Sequence, residues 1–380
     1  MKALGAAYLT NFAALAATVP FLALYLGGAG FAPEVVAQLL AVLLLVRVVA
    51  VPPWTLAADR AHASARVLRV ASAGALVAFA ALLAAPSRWI AALVLLAYTV
   101  CRAPFGPLLD SLMLRRAREA GQTFGAVRAA GTAGYALGAI VTGALVARLG
   151  ERAVVYAGVG FLALALVAAT TLGRGDASPG VRAGSVRALV GFVQRPRLAV
   201  LLGIGLLVQL GLAPYDALFP AYLTSLAGAT AAGVAVALGA SAEFVFLLAG
   251  PTLARRLGPE RLLALSCAGS AVRWAAVACV ASPVALVALQ VLHALSFGAF
   301  YVSAVVLVDA ESPPGLRASA LGVFSSLCFG VEAAGSLSLA GVVQRHAGLP
   351  AVFALAAAAA VVGALVAGAM AWIRRESAAL

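Results

Sequence analysis

Residues 98–135 read YTVCRAPFGPLLDSLMLRRAREAGQTFGAVRAAGTAGY, and this stretch decides the fold. Two apolar segments flank a basic turn at Arg115, Arg116 and Arg118. Arg102 and Asp110 lie within the first segment and Arg128 within the second. An ionised group at the centre of a bilayer helix costs about 2.5–3.5 kcal/mol on insertion scales. Such groups therefore face a cavity or one another, and they mark a pathway for substrate or ions. The same device recurs between residues 243 and 293, where Glu243, Arg273 and His293 interrupt apolar runs.

The rest of the chain agrees with a membrane reading. Of its 380 residues 64% are hydrophobic and only 10% charged, against about 25% charged in soluble chains. Apolar stretches recur at the length of about 20 residues that one helical crossing needs. Short alternating segments of the kind a membrane β-barrel requires are missing. The expected class is an all-α polytopic membrane protein. Its net charge of +13 is accounted for by loops on one side of the membrane, so nucleic acid is not an expected partner. Cys101, Cys267, Cys279 and Cys328 lie in apolar runs without CxxC spacing, which predicts neither a disulfide framework nor a metal site. Lys2 precedes an apolar run with no small-residue cleavage pattern, which predicts a retained first span.

Twelve spans fit: roughly 4–27, 33–57, 66–85, 89–112, 123–147, 152–172, 198–226, 231–254, 260–281, 283–308, 317–342 and 350–373. With both termini inside, 18 basic residues fall on the cytoplasmic side. Only Arg88, Arg148, Arg152 and Arg345 fall outside, and these 22 plus Arg47, Arg102, Arg128 and Arg273 within spans make the total of 26. That bias obeys the positive-inside rule and sets the orientation. The expected location is the inner membrane of a bacterium, with both termini cytoplasmic. One long polar connection, residues 173–196, separates a first bundle, 1–172, from a second, 197–380. Part of it, 181–193, suits an amphipathic helix on the inner leaflet.

The halves echo each other at an offset near 197. Pro53-Trp54-Thr55-Leu56-Ala57 matches Pro251-Thr252-Leu253-Ala254, and residues 142–148 match 340–345. Parallel six-span repeats with a midplane site are the pattern of major facilitator transporters.

Eight charged residues sit inside spans. Arg47, Arg102, Arg128 and Arg273 stand against Asp110, Asp216, Glu243 and Glu332, with His293 besides. Equal numbers suit mutual pairing, because an unpaired buried charge costs far more than a paired one. Such pairs serve either as helix clamps or as working groups. A carboxylate's pKa rises on desolvation and falls beside an arginine. If the partner moves, the carboxylate therefore takes up and releases a proton. A proton crossing 100 mV supplies about 2.3 kcal/mol. Glu243, in an apolar run eight residues before Pro251, is expected to pair with Arg273 on the following span in one conformation and to separate from it in the other. Asn11 and Tyr25 suit either a cavity lining or ordinary interhelical hydrogen bonds. Gly134 and Gly138 have the spacing of a close helix contact, and His62 and His346 are read as loop residues.

Several motifs resemble the major facilitator superfamily, in the branch of lactose permease and the phenylpropionate permease-like transporters. Phe124-Gly125-Ala126-Val127-Arg128-Ala129-Ala130-Gly131-Thr132-Ala133-Gly134-Tyr135 resembles that branch's fifth helix. Arg273-Trp274 and Leu292-His293-Ala294-Leu295-Ser296-Phe297 resemble its ninth and tenth. The resemblance covers the whole chain and implies two six-helix bundles. It implies that Asp110 and Arg128 bind substrate, with Tyr135 stacking on it, and that Arg273 and His293 belong to a proton site. The proton-carrying glutamate of lactose permease is replaced here by Ser296, so Glu243 takes that role by resemblance to the phenylpropionate branch, with Asp216 and Glu332 next. The superfamily's cytoplasmic signature survives as Asp59-Arg60, and Arg102 with Gly106 resembles a helix-four motif associated with coupling.

The expected activity is proton-coupled symport of a small polar or anionic organic solute, an aromatic carboxylate or a sugar-like molecule, by alternating access. The proton is the coupling ion, and no other cofactor or metal is expected. Partners are the solute, protons and the lipid bilayer, and the protein is expected to be a monomer. Proton-driven efflux on the same fold is the alternative. A non-transporting receptor or enzyme ranks below both, since no catalytic constellation or appended soluble domain is visible.

Overall fold

The structure is a computed structural model. It describes residues 2–61, 63–85, 87–110, 112, 124–173, 191–192, 194–312 and 317–379. The side chains of 59–60, 124–129, 251, 317–319 and 374–379 fall outside that description. Among the described residues every regular element is helical.

Among the described residues ten helices are long and apolar enough to cross a membrane. Two of them, Pro196–Gly250 and Ala320–Ile373, contain 55 and 54 residues, more than twice the ~20 that one crossing needs. Each is broken once by a glycine with positive φ, Gly228 at 82° and Gly348 at 77°. Glycine holds this backbone without the Cβ penalty that other residues meet. Splitting both helices there yields twelve spans, the expected count. They are α1 (Lys2–Gly28), α2 (Pro33–Ala58), α3 (Ser64–Ala84), α4 (Arg88–Asp110), α5 (Phe124–Leu149), α6 (Ala153–Thr171), α7 (196–227), α8 (229–257), α9 (Pro259–Cys279), α10 (Pro283–Glu311), α11 (317–347) and α12 (349–379).

The chain forms two compact units. The first comprises Met1–Val181 and Ala217–Ala237, the second Arg182–Asp216 and Leu238–Leu380. In the first unit α1 packs on α5 and α6, α2 on α4, and α3 on α4 and α6. Small residues make the closest contact. A Cβ built on Gly134 would stand 2.0 Å from the Leu9 carbonyl oxygen, and one on Gly138 2.3 Å from that of Ala13. Gly143 and Gly233 meet in the same way, at 2.5 Å from the carbonyl oxygens of Ala229 and Ala139. The spacing of Gly134 and Gly138 is thus a backbone-to-backbone helix crossing, as its small residues allow.

In the second unit α9 packs against α10 and against the 333–379 segment. Here α10 changes its winding, from a 3₁₀ turn at Leu289–Leu292 to a π-helix at Ala294–Ala299, and α11 carries another π-helix at Leu327–Glu332. Both units present apolar side chains outward. Val49, Val77, Val284 and Leu365 are each at least 70% exposed, which suits hydrocarbon and not water.

Two local expectations change. His346 lies within helix α11 rather than a loop, because the helix runs on to the break at Gly348. The inner-leaflet helix expected at 181–193 falls, apart from Gly191 and Phe192, outside the described residues, as does His62. The C-terminal end of the connection is anchored: Arg195 and Arg197 reach Glu311 at 3.7 and 3.1 Å.

Candidate transport site

The second unit is built around Arg273 on α9, which is 0% exposed. A guanidinium so placed needs acceptors for its five donors. Nη1 donates to Ser296 Oγ at 2.8 Å and to His293 Nδ1 at 3.0 Å, and Nη2 donates to Gln290 Oε1 at 2.6 Å. The rings of Tyr215 and Trp274 lie 4.2 and 4.3 Å from the guanidinium carbon, within cation–π range. Gln290, His293 and Ser296 are spaced by three residues on α10, so a helical turn brings them onto one face. The π-helix that starts at Ala294 frees a backbone carbonyl at Ser296, and Ser266 Oγ donates to it at 3.1 Å.

Arginine offers no acceptor, so the bond from Arg273 requires a bare lone pair on His293 Nδ1. The imidazole proton therefore sits on Nε2. That nitrogen lies 3.6 Å from Glu243 Oε2, beyond hydrogen-bond length but close enough for strong attraction once the ring is charged. Arg273, His293 and Glu243 thus form a line with the imidazole in the middle. Glu243 and Arg273 do not pair directly in this structure: Arg273 spends its donors on α10, and His293 intervenes. Asp216, next to Tyr215, is exposed and in electrostatic range of His293, Arg273 and Glu243.

Glu332 stands apart from this group. It ends the α11 π-helix, its Oε2 is buried without a hydrogen-bond partner, and Gly205 on α7 makes room for it, since a Cβ there would be 3.0 Å from that oxygen. Gln209, one turn along α7, donates to Cys328 Sγ at 3.8 Å. An aromatic cluster of Phe297, Tyr301 and Phe329 joins the two π-helices, with ring centroids about 6 Å apart, and Phe297 stacks on His293 at 5.6 Å.

In the first unit Tyr8 on α1 donates its hydroxyl to Asp110 Oδ1 on α4. Asn11, one turn further on, is buried; its backbone carbonyl accepts from Arg102 Nη2 at 3.2 Å, and its Oδ1 has no partner. The guanidinium of Arg102 also covers the Phe105 ring at 4.1 Å. Arg128 belongs to α5, but its side chain lies outside the described residues, as do those of Asp59 and Arg60 at the end of α2. Tyr135 packs against Ala16, Ala139, Val236 and Ala237. Tyr25 lines a separate cavity of about 550 Å³ with Arg88, Arg152 and Tyr156 at one end of the unit, so it is not grouped with Asp110.

Gln290 and Ser296 as acceptors for Arg273, and Tyr215 and Tyr8, escaped the sequence reading. The first two were legible as polar residues three positions either side of His293. Tyr215 and Tyr8 carried no such signal, since an apolar span tolerates tyrosine anywhere near its ends. Among the described residues no cluster of His, Cys, Asp and Glu could hold a metal ion.

Comparison with known proteins agrees with this architecture. The model of the MFS_1 like family matches residues 1–355. A maltose permease of Geobacillus stearothermophilus is 28% identical over 364 residues, covering 94% of this chain and 91% of its own length. A probable 3-phenylpropionic acid transporter of Escherichia coli (strain K12) is 26% identical over 350 residues, covering 90% of each. The fold is similar to a crystallised variant of the nucleoside transporter NupG, with TM-score 0.87 and 20% identity over 97% of this chain and 98% of that one. A bacterial homologue of the human lysosomal transporter Spinster follows the same fold at TM-score 0.72 and 15% identity, over 96% and 93%.

Proposed function

Given that the chain belongs to the MFS_1 like family of membrane transporters, we propose that it is a proton-coupled symporter. It moves a small polar or anionic organic solute across a bacterial inner membrane by alternating access. It works as a monomer with both termini in the cytoplasm, and it uses no cofactor other than the proton.

The observation that carries the coupling is the line Glu243–His293–Arg273 within the spans. A second proton on His293 must go to Nδ1, and it displaces the N–H of Arg273 there. The protonated ring is then attracted to Glu243. Loss of that proton restores the bond to Arg273. Proton uptake and release are thereby tied to whether His293 is bonded to Arg273 on α9 or drawn to Glu243 on α8, while Gln290 and Ser296 keep Arg273 on α10, and switching of that kind is what coupling requires. Asp216, within the field of the same groups, and Glu332 are the reserve carriers.

The solute is held in the first unit by Asp110 and Arg128, with Tyr8 orienting the carboxylate, Tyr135 stacking, and Asn11 contributing a polar contact; Tyr25, in its separate cavity, is left out of this site. Asp59 and Arg60 stabilise one conformation, and Arg102 serves coupling or binding. A sugar-like solute is the second reading, favoured by the maltose permease relative, since Asp110 accepts from hydroxyls.

Glu243→Gln tests the coupling. The amide mimics the protonated acid, so pH-driven accumulation in proteoliposomes should fall at least tenfold, while exchange of labelled for unlabelled solute continues. Undiminished accumulation would move the proton to Asp216 or Glu332.

A further inference from the structure

The first unit contains two intramembrane arginines that no described carboxylate explains. Arg102 on α4 has a single backbone acceptor, the Asn11 carbonyl, an electrostatic and hydrogen-bonding link to Tyr98, and the Phe105 ring; its Nε is buried with no partner. Arg47 on α2 makes no hydrogen bond or ion pair with any described residue, and it is exposed. The two repel each other within electrostatic range. Their helices are tied directly, by Trp54 Nε1 donating to the Val100 carbonyl at 2.8 Å. Arg102 comes two residues after that tie, and Arg47 two turns before it.

Two neighbouring cations inside a span are expensive. Asp110, the acid on α4, is engaged by Tyr8. Cation–π contact and one neutral carbonyl do not discharge a guanidinium, whose planar fork is suited to a carboxylate or phosphate. Asn11 Oδ1, buried and unpartnered beside Arg102, marks an amide with unused capacity; turned over, it presents an N–H₂ donor to the same place.

We propose that Arg102 and Arg47, with the Asn11 amide, bind the negatively charged group of the transported solute, and that this group is a carboxylate. The inference rests on the transport reading and deepens it. Binding one anion neutralises one of the two cations and supplies the missing acceptor for Arg102. The charge preference also excludes neutral analogues, because a site built for a charged acceptor leaves its donors unpaired when that acceptor is absent.

The test uses purified full-length protein and a set of monocarboxylates headed by 3-phenylpropionate, each beside its neutral amide, together with maltose. Thermal shift and titration calorimetry should find an acid that stabilises the protein while its amide does not. Arg47→Gln and Arg102→Gln should each weaken that acid at least tenfold, and Arg102→Lys should restore binding only in part. Ligand-free Arg47→Gln should melt at or above the wild-type temperature, since it removes a repulsion; a helix clamp would melt lower. Acid binding that is undiminished in both Gln variants overturns the assignment, as does binding of maltose with no acid bound. Uptake into proteoliposomes separates the two readings. Uptake of any of these solutes at the wild-type rate by both variants defeats this inference alone, and absence of uptake of every solute by the wild type defeats the transport reading with it.

Discussion

The two units carry opposite charge within their spans. In the first, Arg47, Arg102 and Arg128 stand against Asp110; in the second, Arg273 stands against Asp216, Glu243 and Glu332. The equal totals of the whole chain conceal a surplus of two bases in one unit and of two acids in the other. Their packing differs as well. The second unit surrounds its one intramembrane arginine with three hydrogen-bond acceptors and two aromatic rings, whereas in the first Arg47 is without a hydrogen bond or ion pair to any described residue. A bare cation suits a ligand that comes and goes. An enclosed cation beside surplus acid suits a proton, which needs a change of partner and little space.

The sharpest way to break this contrast is to remove one arginine from each unit. Arg273→Met strands Glu243 and Asp216 beside an imidazole and leaves Ser296 and Gln290 without their donor. Loss of one partner from a buried charged network costs about 3–5 kcal/mol, so the variant should lose thermal stability and all pH-driven accumulation. Arg47→Gln should cost no stability. Equal losses in a melting assay would mean that both arginines are structural.

A smaller effect compares the ways in which the units bring helices together. Gly134→Ala drives a methyl into the backbone of Leu9, where nothing can yield. Gly211→Ala meets Trp274 Nε1 at 2.2 Å, a side chain that is stacked on Phe353 but able to shift. Overpacking costs about 1–3 kcal/mol. Gly134→Ala should sit at the upper end or beyond it, and Gly211→Ala lower, as measured by the temperature at which detergent-solubilised protein aggregates. The reverse order would place the rigid contact in the second unit.

The smallest effect belongs to the end of α10. Glu311→Gln removes the carboxylate that faces Arg195 and Arg197, both exposed, and leaves the backbone carbonyl that Arg195 also uses. Exposed pairs contribute about 0–1 kcal/mol and are screened by salt. The melting temperature should barely change, and any difference should vanish in high salt.

The span count was legible because hydrocarbon punishes polar backbone and side chains uniformly along a segment, so composition over about 20 residues suffices. Gly134 and Gly138 were legible for a related reason: close helix contact demands small residues at a fixed spacing. Partner choice was not. The sequence shows Glu243, Arg273 and His293 as three groups within spans, and pairing acid with base by charge alone would join Glu243 to Arg273.

By itself, then, the sequence determined the membrane class, the twelve crossings, the glycines of the helix contacts and the charged residues available inside the spans. These depend on the composition or spacing of local segments. Tertiary structure alone decided that Arg273 bonds to Gln290, His293 and Ser296, that His293 stands before Glu243, that Tyr8 takes Asp110, and that Arg47 has no partner among the described residues. Those outcomes depend on distances of a few ångströms between side chains far apart in the chain. The helix windings that set them, above all the π-turn after His293, arise from packing against neighbouring helices and leave no period in the sequence.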